Sequence, residues 1–125
     1  MKNSLQNNIG LALLRIGASG LMLTHGIPKF QKLISGNLEF GDPIGIGSTP
    51  SLFLAIIGEF ICPILVIVGF KTRWSTIPTI ITMAVAAFIV HGADPFKDKE
   101  KALLYLILFV VIALLGPGKY SIDKK

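Results

Sequence analysis

One acidic and one strongly basic residue interrupt the apolar stretches of this chain, and they are the first candidates for chemistry. Glu59 lies near the middle of an otherwise almost wholly apolar run from Ser51 to Lys71, and Arg15 lies in a second such run from Ile9 to Ile27. Moving a charged side chain into hydrocarbon costs roughly 2.5–3.5 kcal/mol on insertion scales, so each residue needs a partner, a proton or water. If the runs cross a bilayer, Arg15 and Glu59 define an intramembrane polar site.

The two charges can be accommodated in two ways. In adjacent antiparallel helices, Arg15 lies about six residues, roughly 9 Å, from the inner end, and Glu59 about eleven residues, roughly 16 Å. A long guanidinium can bridge that difference, which predicts an Arg15–Glu59 ion pair or a shared polar network. In the alternative, Arg15 extends to the inner lipid headgroups while Glu59 is protonated in an apolar site.

A second group of polar residues lies toward the outer ends of the apolar runs. His25, Lys29, His91 and Glu100 form, with Glu59, a candidate outer pocket. Two histidines and a carboxylate can relay protons or bind a metal, but their spacing matches no metal motif, so no metal site is predicted. Two interpretations stay open: a proton-active or quinone-binding pocket, and histidines that only cap helix ends at the membrane interface.

Cys62, three residues after Glu59, is the only cysteine of the chain. An internal disulfide, a CxxC redox pair and a zinc site made of cysteines are therefore excluded. A lone cysteine in an apolar run is typical of a small buried side chain. The functional alternative is a thiol that meets the cysteine of a partner.

The elements that must position these residues are membrane helices. Apolar residues make up 52% of the 125 residues and charged residues 15%, with a mean hydropathy of +0.70. Soluble domains have about 25% charged residues, so the composition favours a membrane protein. The pattern predicts an all-α fold in a single domain, residues 1–125, with four transmembrane helices. These cover residues 9–27, 51–70, 74–91 and 95–115.

Two prolines and one long connection complete this prediction. Pro28 is expected to end or kink the first helix, which leaves an outer loop over residues 28–50. Pro63 follows Glu59 by four residues and is expected to kink the second helix beside the acid.

Four spans place both termini on one side of the membrane. The basic residues of that side are Lys2, Lys71, Arg73, Lys119, Lys124 and Lys125, and those of the other side are Lys29, Lys32, Lys97, Lys99 and Lys101. This slight bias favours cytoplasmic termini in a multi-pass protein of the plasma (inner) membrane. The net charge of +5 is scattered without a basic stripe, so the expected partner is the lipid bilayer and not nucleic acid.

Several short motifs resemble, in their order and spacing, the DoxX family of small four-helix membrane proteins. The motifs are Leu13-Leu14-Arg15, His25-Gly26-x-x-Lys29, Gly58-Glu59, Gly69-Phe70, Trp74, His91, Glu100 with Ala102-Leu103, and Gly116-Pro117-Gly118-Lys119-Tyr120-Ser121-Ile122-Asp123.

The resemblance implies a redox-associated role. The name-giving archaeal member of the family is a subunit of a thiosulfate:quinone oxidoreductase, and other members are tied to redox and thiol stress in bacterial membranes. By this resemblance the chain supports a quinone-linked process as a subunit or pocket-bearing accessory. Its partner would be a redox protein or a second copy of the chain. No cofactor motif is evident in the sequence, and whether the chain is an enzyme stays open. The alternatives are a non-catalytic membrane scaffold or assembly protein and a small proton-coupled carrier.

Overall fold

The computed structural model describes residues 2–123, with side chains from residue 4 onward. All regular secondary structure in that range is helical, which confirms the all-α part of the predicted fold class. The first helix covers Lys2–Ile34, the second Ser48–Val68, the third Thr72–Val90 and the fourth Phe96–Leu115.

The first three helices are long and apolar enough to cross a membrane. The fourth differs because residues 97–101 at its start are all charged. The apolar part of the fourth helix covers residues 102–115, a length of roughly 21 Å. By length and composition the molecule is therefore a membrane protein with three clear candidate spans.

The first helix extends well beyond its predicted range of 9–27. It continues through Pro28 to Ile34, so the outer loop predicted over 28–50 shortens to residues 35–47. Contacts beyond the proline explain the extension, since the ring of Phe30 stacks on Phe60 of the second helix with centroids 4.4 Å apart. Proline is tolerated inside membrane helices because neighbouring groups compensate for its missing hydrogen bond.

The second helix widens into a π-helical turn over Ile57–Ile61, with Glu59 at its centre. Pro63 has no N–H to donate to the carbonyl of Glu59, so the regular hydrogen-bond pattern cannot continue there. The N–H of Cys62 instead reaches back five residues to the carbonyl of Ile57. Where the sequence predicted a kink beside Glu59, the helix is widened by this π-helical turn. π-Helical turns are frequent at functional sites.

Glycines bring three helices together at the level of Glu59. A Cβ atom on Gly26 would lie 2.0 Å from the Glu59 carbonyl oxygen, and one on Gly58 would lie 2.1 Å from Oγ1 of Thr82. The hydroxyl of Thr79, in the third helix, donates to the carbonyl of Gly58. Small residues at such crossings are typical of membrane helices, and here they fix the register between the first and second helices.

Side chains from every helix fill the centre of the bundle. The buried cluster consists of Ala18, Met22, Val66, Met83, Phe109 and Ile112. Large apolar side chains on the outside, such as Leu13 and Leu21, are exposed and face the surrounding lipid. We call the end of the bundle that holds residues 35–47 the loop end, and the opposite end, with residues 116–123 (the tail), the tail end.

The packing at Gly26 predicts a position-specific loss of stability. A Gly26→Ala substitution should lower the free energy of unfolding by about 1–3 kcal/mol, because the added methyl group overlaps the backbone at Glu59. Gly17→Ala is the matched control, since a Cβ there would meet nothing within 4 Å. Thermal unfolding in detergent measures both variants, and equal midpoints would contradict the glycine contact.

Candidate functional site

Glu59 is buried beside a lysine of the first helix. Nζ of Lys29 lies 2.9 Å from Oε1 of Glu59, where it donates a charge-assisted hydrogen bond. The Glu59 side chain is 8% exposed and that of Lys29 25%. The same ammonium also lies 3.5 Å from the carbonyl oxygen of His25. The buried carboxylate therefore has a charged partner at the loop end of the bundle.

The predicted Arg15–Glu59 ion pair is wrong in this structure, because Glu59 pairs with Lys29. The contact of Gly26 with the Glu59 backbone fixes the helix register and places the following turn of the first helix beside the acid. Only because the helix continues through Pro28 does Lys29 reach that position. Arg15 is fourteen positions earlier, roughly 21 Å along the helix axis, and lies beside the other end of the second helix.

Arg15 is bound by backbone carbonyl groups at the tail end. Its Nε donates to the carbonyl of Pro117 at 3.2 Å, and its Nη1 donates to that of Val66 at 3.0 Å. Further bonds run from Nη1 to the carbonyl of Ile67 and from Nη2 to that of Tyr120. The residue is only 1% exposed, so the alternative in which Arg15 extends to the lipid headgroups is also wrong.

The tail that Arg15 holds is tied to the neighbouring helices. The carboxylate of Asp123 accepts hydrogen bonds from the N–H groups of Lys71 and Thr72, at 3.0 and 2.8 Å, and from the hydroxyl of Thr72 at 2.9 Å. The N–H of Ile122 donates to Val68 O and that of Asp123 to Gly69 O. Asp123 thus caps the third helix, which the sequence analysis missed although it is the one acid near the end of a basic tail.

An apolar cavity of about 290 Å³ adjoins Glu59 between the second and third helices. Its polar side chains include Lys29, Glu59, Thr82 and His91, and the remainder is largely apolar. The volume is close to the lower end of the range for small-molecule sites, about 300–1,000 Å³. We call it the apolar cavity.

A second cavity, of about 390 Å³, lies on the other side of Glu59, against the fourth helix. Its polar and charged lining residues are His25, Glu59, His91, Lys97, Asp98, Lys101 and Tyr105. The rings of His25 and Tyr105 meet edge to face with centroids 5.6 Å apart, which fixes the histidine at the wall. We call this space the polar cavity.

The predicted outer pocket is assembled in part. His25, Lys29 and His91 lie around Glu59 in the walls of the two cavities, whereas Glu100 is exposed and lines neither. Nδ1 of His91 lies 2.9 Å from Oδ2 of Asp94, a contact at the surface. The sequence analysis did not identify Met83 and Tyr105 as cavity-lining residues, because their positions in apolar stretches are typical of ordinary packing residues.

Two further features bear on cofactors. Cys62 is a free thiol that is 7% exposed, a position that matches a packing role. Within the described residues, no three side chains of histidine, cysteine, aspartate or glutamate gather into a group that can hold a metal ion.

Three helices that are long and apolar enough to cross a bilayer indicate an integral membrane protein. The sequence profile of the DoxX family matches residues 10–92, more than half of the chain. The chain belongs to the DoxX family, as the motifs indicated. An uncharacterized protein of Haemophilus influenzae (strain ATCC 51907 / DSM 11121 / KW20 / Rd) is 32% identical over 92% of this chain and 89% of its own length. No solved structure matches the chain.

The bonds of Arg15 predict that its loss releases the tail. An Arg15→Lys substitution keeps the charge, but a single ammonium cannot reach acceptors in both the second helix and the tail. We expect faster carboxypeptidase digestion of the tail and a destabilisation of about 3–5 kcal/mol if the charge is left unsatisfied. Lys32→Arg, in the same helix but at the loop end, is the control. Unchanged tail protection in Arg15→Lys would show that the carbonyl contacts do not hold the tail.

The Lys29–Glu59 pair predicts strong energetic coupling. In a double-mutant cycle, Lys29→Met and Glu59→Gln should be non-additive by about 1–3 kcal/mol in the free energy of unfolding, because each variant leaves the other group without its partner. Lys32→Met with Glu59→Gln is the matched cycle, since Lys32 lies in the same helix but over the ring of Phe40. Similar coupling in both cycles would rule out a specific pair.

Proposed function

We propose that the chain crosses the plasma (inner) membrane four times, with both termini in the cytoplasm. The N–H of Lys119 donates to Oδ1 of Asn8 at 3.0 Å, so the start of the first helix and the tail lie together. Residues 97–101 would lie among the headgroups, with the apolar part of the fourth helix in the hydrocarbon. The slight excess of basic residues near the termini supports this orientation. Lys124 and Lys125, which contribute to that excess, lie outside the described residues.

We further propose that the protein supports a redox process by binding a quinone beside Glu59. The observation that carries this proposal is a buried Lys29–Glu59 pair between an apolar and a polar cavity. A quinone has an apolar ring and tail and two polar oxygens. Lys29 would donate to an oxygen of the oxidised form, and Glu59 would accept from a hydroxyl of the reduced form. The quinone-linked role of the name-giving family member supports the same assignment.

In this proposal the chain acts as a subunit or accessory. It would hold the quinone and the proton-exchanging groups, while a redox partner protein supplies or removes the electrons. His25 and His91 are the candidates for proton transfer between Glu59 and water, because both lie in the wall of the polar cavity.

A scaffold role without chemistry is the second candidate, and the tail end favours it. Arg15 joins the first helix, the second helix and the tail by donating to backbone carbonyls, which is a structural arrangement. If the protein is only a scaffold, Glu59→Gln should lower its abundance while the surviving molecules keep full activity in assembly.

Quinone binding separates the two candidates. Purified protein in lipid nanodiscs should bind a short-chain ubiquinone analogue, and both Glu59→Gln and Lys29→Met should weaken the affinity about 10-fold or more, as expected for losing a hydrogen bond to a charged group. Lys32→Met should bind like the wild type. Absence of binding by folded wild-type protein would reject the quinone proposal, and equal affinity of all variants would reject the site.

A further inference from the structure

We propose that Glu59 is reached through two separate openings at the loop end, one from the hydrocarbon of the bilayer and one from water. The choice of a quinone as the molecule that uses the first opening rests on the proposed function. The two openings themselves rest only on the cavities and on the residues around them.

The apolar cavity opens toward lipid. Three of its lining residues, Leu54, Ile81 and Val90, are 49%, 57% and 52% exposed, and they belong to the second and third helices. Phe40, Pro43 and Ile44 of the outer loop also line the cavity, and all three are apolar. Both helices are candidate membrane spans, so side chains exposed on their outer faces contact hydrocarbon. An opening bordered by such residues admits a molecule dissolved in the bilayer and disfavours an ion from water.

The polar cavity opens toward water. Lys97, Asp98 and Lys101 line it, and all three are exposed at the start of the fourth helix. Charged side chains at the end of a helix lie among headgroups or in water and not in hydrocarbon. This opening therefore gives water and protons access to His25 and His91.

The two cavities meet at a shared wall. The residues common to both are Glu59, Met83, Ala86 and His91. Oε1 of Glu59 accepts the hydrogen bond from Lys29, whereas Oε2 makes no hydrogen bond to the described residues. Among the described residues, Oγ of Ser19 is the fully buried side-chain polar atom that has no hydrogen-bond partner. Oε2 of Glu59 also has no such partner, so it is not fully buried. The second carboxylate oxygen therefore borders open space, where a ligand or water can donate to it.

Access from the tail end is closed. Met22, Val66, Phe109 and Ile112 are each at most 1% exposed and fill the bundle between the cavities and Arg15. Both openings thus lie toward the loop end of the bundle. This arrangement fits a site that binds a lipid-soluble ligand and exchanges its protons with water at that end.

Cysteine accessibility tests the two openings. In a Cys62→Ser background, Ala55→Cys places a thiol in the wall of the apolar cavity and Ala102→Cys places one in the wall of the polar cavity. The charged, membrane-impermeant reagent methanethiosulfonate ethylsulfonate should modify Ala102→Cys at least 10-fold faster than Ala55→Cys. The lipid-soluble reagent N-phenylmaleimide should reverse the preference. Ser19→Cys, buried outside both cavities, should react slowly with both reagents.

The outcomes distinguish this inference from the proposed function. Equal modification of Ala55→Cys and Ala102→Cys by the impermeant reagent would overturn the inference, because the apolar cavity would then open to water. A short-chain ubiquinone analogue should protect Ala55→Cys from N-phenylmaleimide. If the reagent preferences hold but the quinone neither binds nor protects, the two openings stand and the quinone assignment fails. Complete labelling in denaturant confirms that each thiol is intact.

Discussion

The burial of Arg15 is the constraint on which the tail end of the structure depends. A guanidinium cannot lose its proton at ordinary pH, so its N–H groups need acceptors wherever it is placed. The last carbonyls of a helix have no partners within that helix, and those of Val66 and Ile67 supply acceptors here. Carbonyls of the tail complete the set, which draws the tail against the bundle. Asp123 is thereby placed to cap the third helix, so one buried cation connects four segments of the chain.

Glu59 is a buried acid, and its charge is balanced by a side chain and not by backbone groups. Its partner is a flexible lysine, and its position is set by two glycines that let the helix backbones approach. The glycine contacts fix the register, and the register selects Lys29 instead of Arg15. The π-helical turn at Glu59 follows from Pro63 and widens the helix where the two cavities meet. Helix register and the widened turn therefore both depend on one short stretch of the second helix.

The sequence predicted the helices and the two buried charges, but not how the charges are paired. Apolar runs and flanking charges carry enough signal to place helices, and the later three helices begin and end within three residues of the predicted positions. Pairing depends on helix register, which small residues such as Gly26 determine only once a neighbour is known. The partners of Arg15 are backbone carbonyls, and every residue has one, so no side-chain pattern reveals them. Pro28 does not end the first helix, because the stacking of Phe30 on Phe60 outweighs the tendency of proline to end a helix.

The burial of Arg15 and the burial of the Lys29–Glu59 pair have different explanations. All three nitrogens of the Arg15 guanidinium donate to carbonyls, so a structural role accounts for the residue completely. The Lys29–Glu59 pair is a poor device for stability alone, because well-packed apolar residues in place of a buried ion pair are often equally stable or more stable. One Glu59 oxygen faces open space at the junction of two cavities, an arrangement that stability does not require. The ligand that we propose for this oxygen would account for a pair that lies at a cavity wall and not within the packed core.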